Sequence, residues 1–176
     1  MRTGNRHGGM SLCPYNVYPT NDGYVAIICN HQRHWEALVL AMSQPELGFD
    51  SRMMTMKDRV ANMDFVDDTI GAWTRSRGKQ AVFDLLTNHR IPCAPVRDIS
   101  EVVADPHLRA RGMLQDIEHP EFGSITVSSS PIRFTDMPPL APKASRRLGE
   151  DNGEVLCDFF NESRSQLDGW RARGVI

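Results

Sequence analysis

The chain has 176 residues, 40% of them hydrophobic and 24% charged, with 20 basic and 22 acidic side chains. That is the length of one globular domain, which buries roughly 70% of its unfolded surface, and the mix excludes disorder, collagen and coiled coil. A formal net charge of −2 removes the electrostatic basis for non-specific nucleic-acid binding.

The stretch Arg-Thr-Gly-Asn-Arg-His-Gly-Gly after Met1 has no apolar core, so no secretory signal is read there. The longest apolar runs, Tyr24 to Cys29 and Ala37 to Met42, are six residues, far short of the ~20 that cross a bilayer. A soluble, cytoplasmic chain with no membrane or nucleic-acid partner is expected. Cys13, Cys29, Cys93 and Cys157 lie far apart without a C-x-x-C pair, which predicts reduced, mostly buried thiols and no zinc site.

In chain order, residues 1–16 read as a glycine-containing polar arm. Asn21-Asp22-Gly23 signals a turn, and Tyr24 to Cys29 a short apolar strand. Trp35, Leu38, Val39 and Met42 fall on one helical face that ends before Pro45. A longer helix is predicted over 58–75, with Val60, Met63, Val66, Ile70 and Trp73 as its buried stripe and Asp64, Asp67 and Asp68 outside it, on solvated faces. Another is predicted over 79–89. Asp98 with Glu101 resembles a capping box, and Asp105-Pro106 places a cap before a proline at the first helical position. Two strands are expected over 113–117 and 123–128.

Four prolines (Pro131, Pro138, Pro139, Pro142) mark 131–150 as an extended connection. Two amphipathic helices come next in a tail, 151–176, starting at Asp151 and Ser163, with Gly174 stopping the second. The fold class is α+β: a small domain over 17–130 with short strands and several helices, then the connection and a helical tail. That tail carries Val155, Leu156, Phe159, Phe160, Leu167 and Trp170, an apolar set that calls for a surface to cover.

Chemistry is sparse. His31-x-x-His34 has metal-ligand spacing but no third ligand near it, so a solvated first helical turn is the simpler reading. Cys93, between Pro92 and Pro95, has no basic neighbour to lower its pKa. Gly4-Asn5-Arg6-His7-Gly8-Gly9 is a glycine loop that matches neither phosphate-loop pattern, leaving an anion site or a flexible arm open. No catalytic constellation is complete and no catalytic or metal residue is assigned.

The ordered set of short motifs is more telling. Gly4-Asn5-Arg6-His7, Pro14-Tyr15 and Tyr18-Pro19-Thr20-x-Asp22-Gly23 are followed by Trp35, Arg59 with Asn62, and Ile91-Pro92-Cys93-Ala94-Pro95-Val96. Asp105-Pro106-His107-Leu108, Arg111, Gly123, Pro131-Ile132-Arg133-Phe134, Ala141-Pro142, Leu148-Gly149-Glu150, Val155-Leu156 and Gly174-Val175-Ile176 complete it. The set resembles the C-terminal portion, small domain and tail, of the class III CoA-transferases (CaiB/BaiF), the family of formyl-CoA transferase and carnitine CoA-transferase.

The resemblance implies an enzyme that moves coenzyme A from an acyl-CoA to a carboxylic acid. An aspartate attacks the thioester, and the reaction passes through an acyl anhydride and an aspartyl-CoA thioester. Coenzyme A is then substrate, and no cofactor is implied. In the family a Rossmann-like large domain carries that aspartate, and two chains interlock as a dimer. The present sequence resembles only the family's segments C-terminal to that large domain. The implied role is therefore a transferase part that lacks the nucleophile and is inactive alone, joined to acyl-CoA, a carboxylic acid and a second copy or a large-domain chain. Gly8 and Gly9 stand where the family has a glycine loop over the active site, and the resemblance makes Arg6 and His7 beside them expected partners for an anionic substrate or a coenzyme A phosphate. An α-methylacyl-CoA racemase would carry a glutamate where Cys29-Asn30-His31 stands, which disfavours that alternative; a non-catalytic interaction module is the other.

Overall fold

The computed structural model describes residues 3–138 and 140–176. Pro139 of the expected connection and the first two residues of the expected arm lie outside the described residues. The chain divides between Asp98 and Ile99 into two compact units, a boundary inside the stretch 17–130.

The first unit is built on a three-stranded antiparallel sheet of β1 (Tyr15–Thr20), β2 (Gly23–Ile28) and β3 (Cys93–Val96), in the order β1-β2-β3. Only β2 is predicted by the sequence. Both other strands contain a proline, Pro19 and Pro95, which depresses a strand reading. Each is an edge strand, where one face of the ladder needs no N–H donor. The expected arm thus ends in β1. Alternation along the strands puts Tyr18, Val25 and Ile27 into the core and Tyr15, Tyr24 and Val96 on the opposite face, 41%, 49% and 43% exposed.

Four helices complete the unit: α1 (Gln32–Ala41), α2 (Met56–Ala61), α3 (Met63–Arg75) and α4 (Lys79–Asn88). The single helix expected over 58–75 is two. Asn62, at φ −121° and ψ 35°, leaves helical geometry. Its amide donates to the Asp58 carbonyl at 2.9 Å and the Arg52 carbonyl at 3.3 Å, so a side chain stands in for the interrupted backbone ladder. Trp35, Leu38 and Val39 of α1, Val66, Ile70 and Trp73 of α3, and Val82 and Leu86 of α4 share one core with the strands. Each fully buried aliphatic side chain contributes about 1.5–3 kcal/mol. The β1–β2 turn also caps α4: Asp22 accepts the Lys79 N–H at 2.7 Å, a bond that holds its carboxyl below the usual range.

Arg59 is fully buried in this core. Its Nε donates to the Cys13 carbonyl at 2.9 Å, and its Nη1 to the Met53 carbonyl at 2.8 Å. Both terminal nitrogens donate to Gln32 Oε1 at 3.1 Å. The guanidinium also lies 4.9 Å from the Trp35 ring centroid.

In the second unit, α5 (Ile99–Val103) and α6 (Pro106–Ala110) precede a hairpin of β4 (Leu114–His119) and β5 (Gly123–Ser128). Asp105 caps α6 as expected, accepting the His107 and Leu108 N–H groups at 2.8 and 3.1 Å. Residues 131–138 and 140–148 hold no helix or strand, yet they are tied to the hairpin. Arg133 donates to the Arg111 carbonyl at 3.1 Å, Ser145 bonds His119 at 3.4 Å, and Arg147 pairs with Glu121. The first tail helix begins at Gly153 rather than Asp151 and is a wide, i→i+5 turn over Gly153–Phe159. The second, α7 (Arg164–Ala172), has its Ser163 cap in place, accepting the Gln166 N–H at 3.2 Å. Leu167 is buried and Trp170 half-buried, but Phe159 and Phe160 are 77% and 61% exposed.

Two measurements test this packing. Arg59→Gln cannot span to Cys13 and Met53 together; it strips buried carbonyls of their donors and lowers stability by about 3 kcal/mol or more in urea titration, whereas Arg52→Ala, at the surface, costs under about 1 kcal/mol. Burial pushes the Cys13 and Cys29 thiols up to about 12. Since the thiolate is the nucleophile, neither is alkylated at pH 8 until the chain unfolds, while the partly exposed Cys157 is.

Candidate functional site

The glycine loop over residues 3–10 is held, not free. Gly4 and Met10 take left-handed φ values of 65° and 49°, and the loop closes on itself through Thr3 Oγ1 to the Arg6 carbonyl at 2.7 Å and the Met10 N–H to the His7 carbonyl at 3.0 Å. His7 and Arg6 fasten it to the body of the first unit, and the His7 N–H donates to the Tyr15 carbonyl at 3.3 Å. The His7 ring stacks on Tyr15 at 4.8 Å with 15° between planes. Arg6 Nε donates to Asp67 at 2.6 Å and its Nη2 to Asp64 at 2.8 Å.

Asp67 is the centre of this arrangement. Its carboxylate accepts from Arg6, from Asn16 Nδ2 at 3.0 Å and from the Tyr18 hydroxyl at 2.6 Å, and its side chain is only 11% exposed. Burial first, and then Asp67, push the Tyr18 hydroxyl well above 10, which keeps it a donor. The hydrogen bond to Asp64 leads the effects that hold Arg6 in its charged form. Asp67 is thus no solvated helix face, as the sequence reading has it. The signal was present in the spacing: Asp67 lies four residues after Met63 and three before Ile70, on the flank of the buried stripe, where α3 meets β1.

The structure therefore brings Arg6, His7, Gly8 and Gly9 together on one loop, with separate parts. The positive charge of Arg6 is committed to two carboxylates. His7 lies flat against Tyr15. Gly8 has open space around its Cα, whereas a side chain on Gly9 would meet His7 Nε2 at 2.5 Å, so close passage of the backbone over the ring requires glycine there. The seam beneath the loop, lined by Arg6, His7, Met10, Cys13, Met63 and Asp67, has no room for a water molecule. Beside it, an apolar groove of about 300 Å³ runs along the exposed sheet face from Asn5 past Tyr15, Val17 and Ala26 to Ala94.

The remaining candidates stay apart from this loop. The His31 and His34 rings meet edge to face at 5.4 Å, and among the described residues no group of three or more His, Cys, Asp or Glu is placed to hold a metal. Burial raises the Cys93 thiol, the opposite of activation. Among the described residues no helix is long and apolar enough to cross a membrane.

Known proteins share this architecture. A CAIB/BAIF family protein from Brucella suis superposes with a TM-score of 0.73 at 27% identity, over 89% of this chain and 40% of that one. The mixed α+β fold is that of a portion of the CaiB/BaiF proteins. The family model for CoA-transferase family III matches residues 1–152, and the chain belongs to that family. It is 34% identical over 156 residues to the succinyl-CoA:mesaconate CoA-transferase of Haloarcula hispanica and 30% identical over 142 residues to the formyl-CoA:oxalate CoA-transferase of Streptomyces coelicolor. These alignments take in 88% and 81% of the chain but only 38% and 34% of the relatives' own length.

Two substitutions probe the loop. Asp67→Ala removes the acceptor of three donors, and amide exchange over residues 3–10 rises at least about tenfold while the α3 core stays protected. Gly9→Ala drives the His7 ring off Tyr15, read as loss of the ring-current shift on Tyr15 protons; Gly8→Ala leaves that shift in place.

Proposed function

We propose that the chain is the C-terminal part of an acyl-CoA:carboxylate CoA-transferase that works with a large-domain partner supplying the nucleophilic aspartate, and that it is inactive alone. The observation that carries this reading is the family match across residues 1–152, which takes in the glycine loop, the first unit and the second unit as far as Asn152. The relatives' names pair a coenzyme A thioester with mesaconate or oxalate, so a dicarboxylic acid is the acceptor class proposed.

In the proposed reaction a carboxylate oxygen of the partner's aspartate adds to the thioester carbonyl, and the coenzyme A thiolate leaves. The thiolate then attacks the aspartyl carbonyl of the resulting anhydride and releases the donor acid as its carboxylate. The acceptor carboxylate repeats both steps in reverse order, which regenerates the aspartate and yields the new acyl-CoA. Water would hydrolyse either intermediate. The role of the loop is to cover them: Arg6 anchors it through Asp64 and Asp67, His7 and Tyr15 set its height, and Gly8 and Gly9 let its backbone approach the substrate.

In the first unit the apolar face of β1–β3, and separately in the second unit the exposed Phe159 and Phe160, each support association with the large domain or a second copy. The cytoplasm is the proposed compartment.

Coexpression with a family large domain tests the reading. The chain alone gives no exchange between succinyl-CoA and mesaconate, the pair gives exchange, and turnover by the chain alone would overturn it. In the active pair, Gly9→Val raises thioester hydrolysis relative to transfer by about tenfold, a ratio that a merely destabilised fold would not move.

A further inference from the structure

At one end of the α1–α4 helix pair the fold gathers positive charge. Arg33 and His34 from the first turn of α1, Ala37 one turn on, and His89 and Arg90 at the end of α4 line a pocket of about 350 Å³. No carboxylate is among the lining residues. Arg90 takes its left-handed φ of 57° as part of the C-terminal cap of α4, where the Ile91 N–H bonds the Leu86 carbonyl at 2.9 Å. Basic residues in the first turn of α1 oppose the helix dipole, so the placement of Arg33 and His34 is not explained by local helix stability.

The two guanidinium groups have no hydrogen-bond or ion-pair partner among the described residues. In the same unit Arg6, Arg52, Arg59 and Arg77 all hold protein acceptors. His34 Nδ1 is shut off from solvent without a partner as well. Burial first, and then the charges of Arg33 and His31, hold the His34 pKa below its ordinary value.

We propose that this pocket binds a small phosphorylated ligand, with its phosphoryl oxygens held by Arg33 and Arg90 and its charge completed by His34 and His89. Two planar guanidinium forks suit two phosphoryl groups, or both edges of one, through paired charge-assisted hydrogen bonds. The volume is that of a small-ligand site. The assignment does not rest on the transferase reading.

Titration of the full chain with inorganic pyrophosphate and, separately, adenosine 3′,5′-bisphosphate, followed by amide and imidazole NMR, tests it. Saturable shifts confined to residues 31–37 and 89–91 are expected with either probe, with a rise in the His34 pKa as the anion favours its charged form. Bisphosphate about tenfold tighter than pyrophosphate identifies a nucleotide; equal affinity identifies the phosphoryl groups alone as what is read. Arg33→Gln with Arg90→Gln weakens both at least about tenfold while leaving the melting temperature unchanged, since neither side chain holds a protein partner. Absence of saturation with both probes at about 10 mM, or equal binding by the double variant, overturns the proposal.

Discussion

The first unit is organised around a buried cation with no counter-ion. A guanidinium taken out of water without a carboxylate is costly, and burial accordingly leads the effects that lower the Arg59 pKa. Carbonyl dipoles and one amide oxygen offset the cost: Cys13 before β1, Gln32 at the start of α1, and Met53 ahead of α2 all turn an oxygen toward the same group. These segments are separated in sequence, and only Gln32, the first residue of α1, lies in a regular element. Two backbone carbonyls and the Gln32 side-chain oxygen must converge for the charge to be tolerated, so Arg59 specifies where the three segments meet. The Trp35 face lies against the same group. Neutral partners also leave this contact less dependent on salt than the surface pair Arg52–Asp50.

From that fixed point the loop site is built outward. Arg59 sets Cys13, and with it the entry to β1; β1 then presents Asn16 and Tyr18 to Asp67 and Tyr15 to His7. Asp67 is placed by α3, whose register is fixed by Met63, Val66 and Ile70 in the core. Arg6 closes the ring. The loop is thus held by two chains of contacts that begin in one core, which explains how residues 3–10, three of them glycine, acquire a single conformation. A free arm of that composition would lose about 1 kcal/mol or more of backbone entropy per ordered residue, and the paired charges and the stacked ring are what offset it.

Periodicity made the helices legible: α1, α4 and α7 stand where apolar spacing places them, as do the β4–β5 hairpin and the caps at Asp105 and Ser163. It failed where a side chain overrides the local pattern. Asn62 splits α2 from α3 by bonding back to the Asp58 carbonyl, and nothing in hydrophobic spacing records that. Prolines hid β1 and β3, because a proline forbids only a central strand, and edge position is a tertiary fact. At the site, composition marked the glycine loop but not its anchor. Asp67 looks solvent-facing by charge, and its three donors come from Arg6 and β1, more than forty-five residues earlier.

The state of the carboxylates bears on the division of labour proposed between this chain and a partner. A carboxylate that attacks a thioester needs an unencumbered oxygen lone pair and a site from which water is excluded. On α3 these requirements are split. Asp67 is sheltered, but its two oxygens already accept three hydrogen bonds, and freeing one would release Arg6 and the loop with it. Asp64 is open to solvent at 91% exposure, where an anhydride would be lost to hydrolysis, and Asp68 is exposed too. Among the described residues of α3, no carboxylate beside the loop is both free and dry. Under the proposed function the loop encloses a reacting group rather than providing one, and because the seam beneath it is closed, the apolar groove between Asn5 and Ala94 is the side proposed for that group's approach.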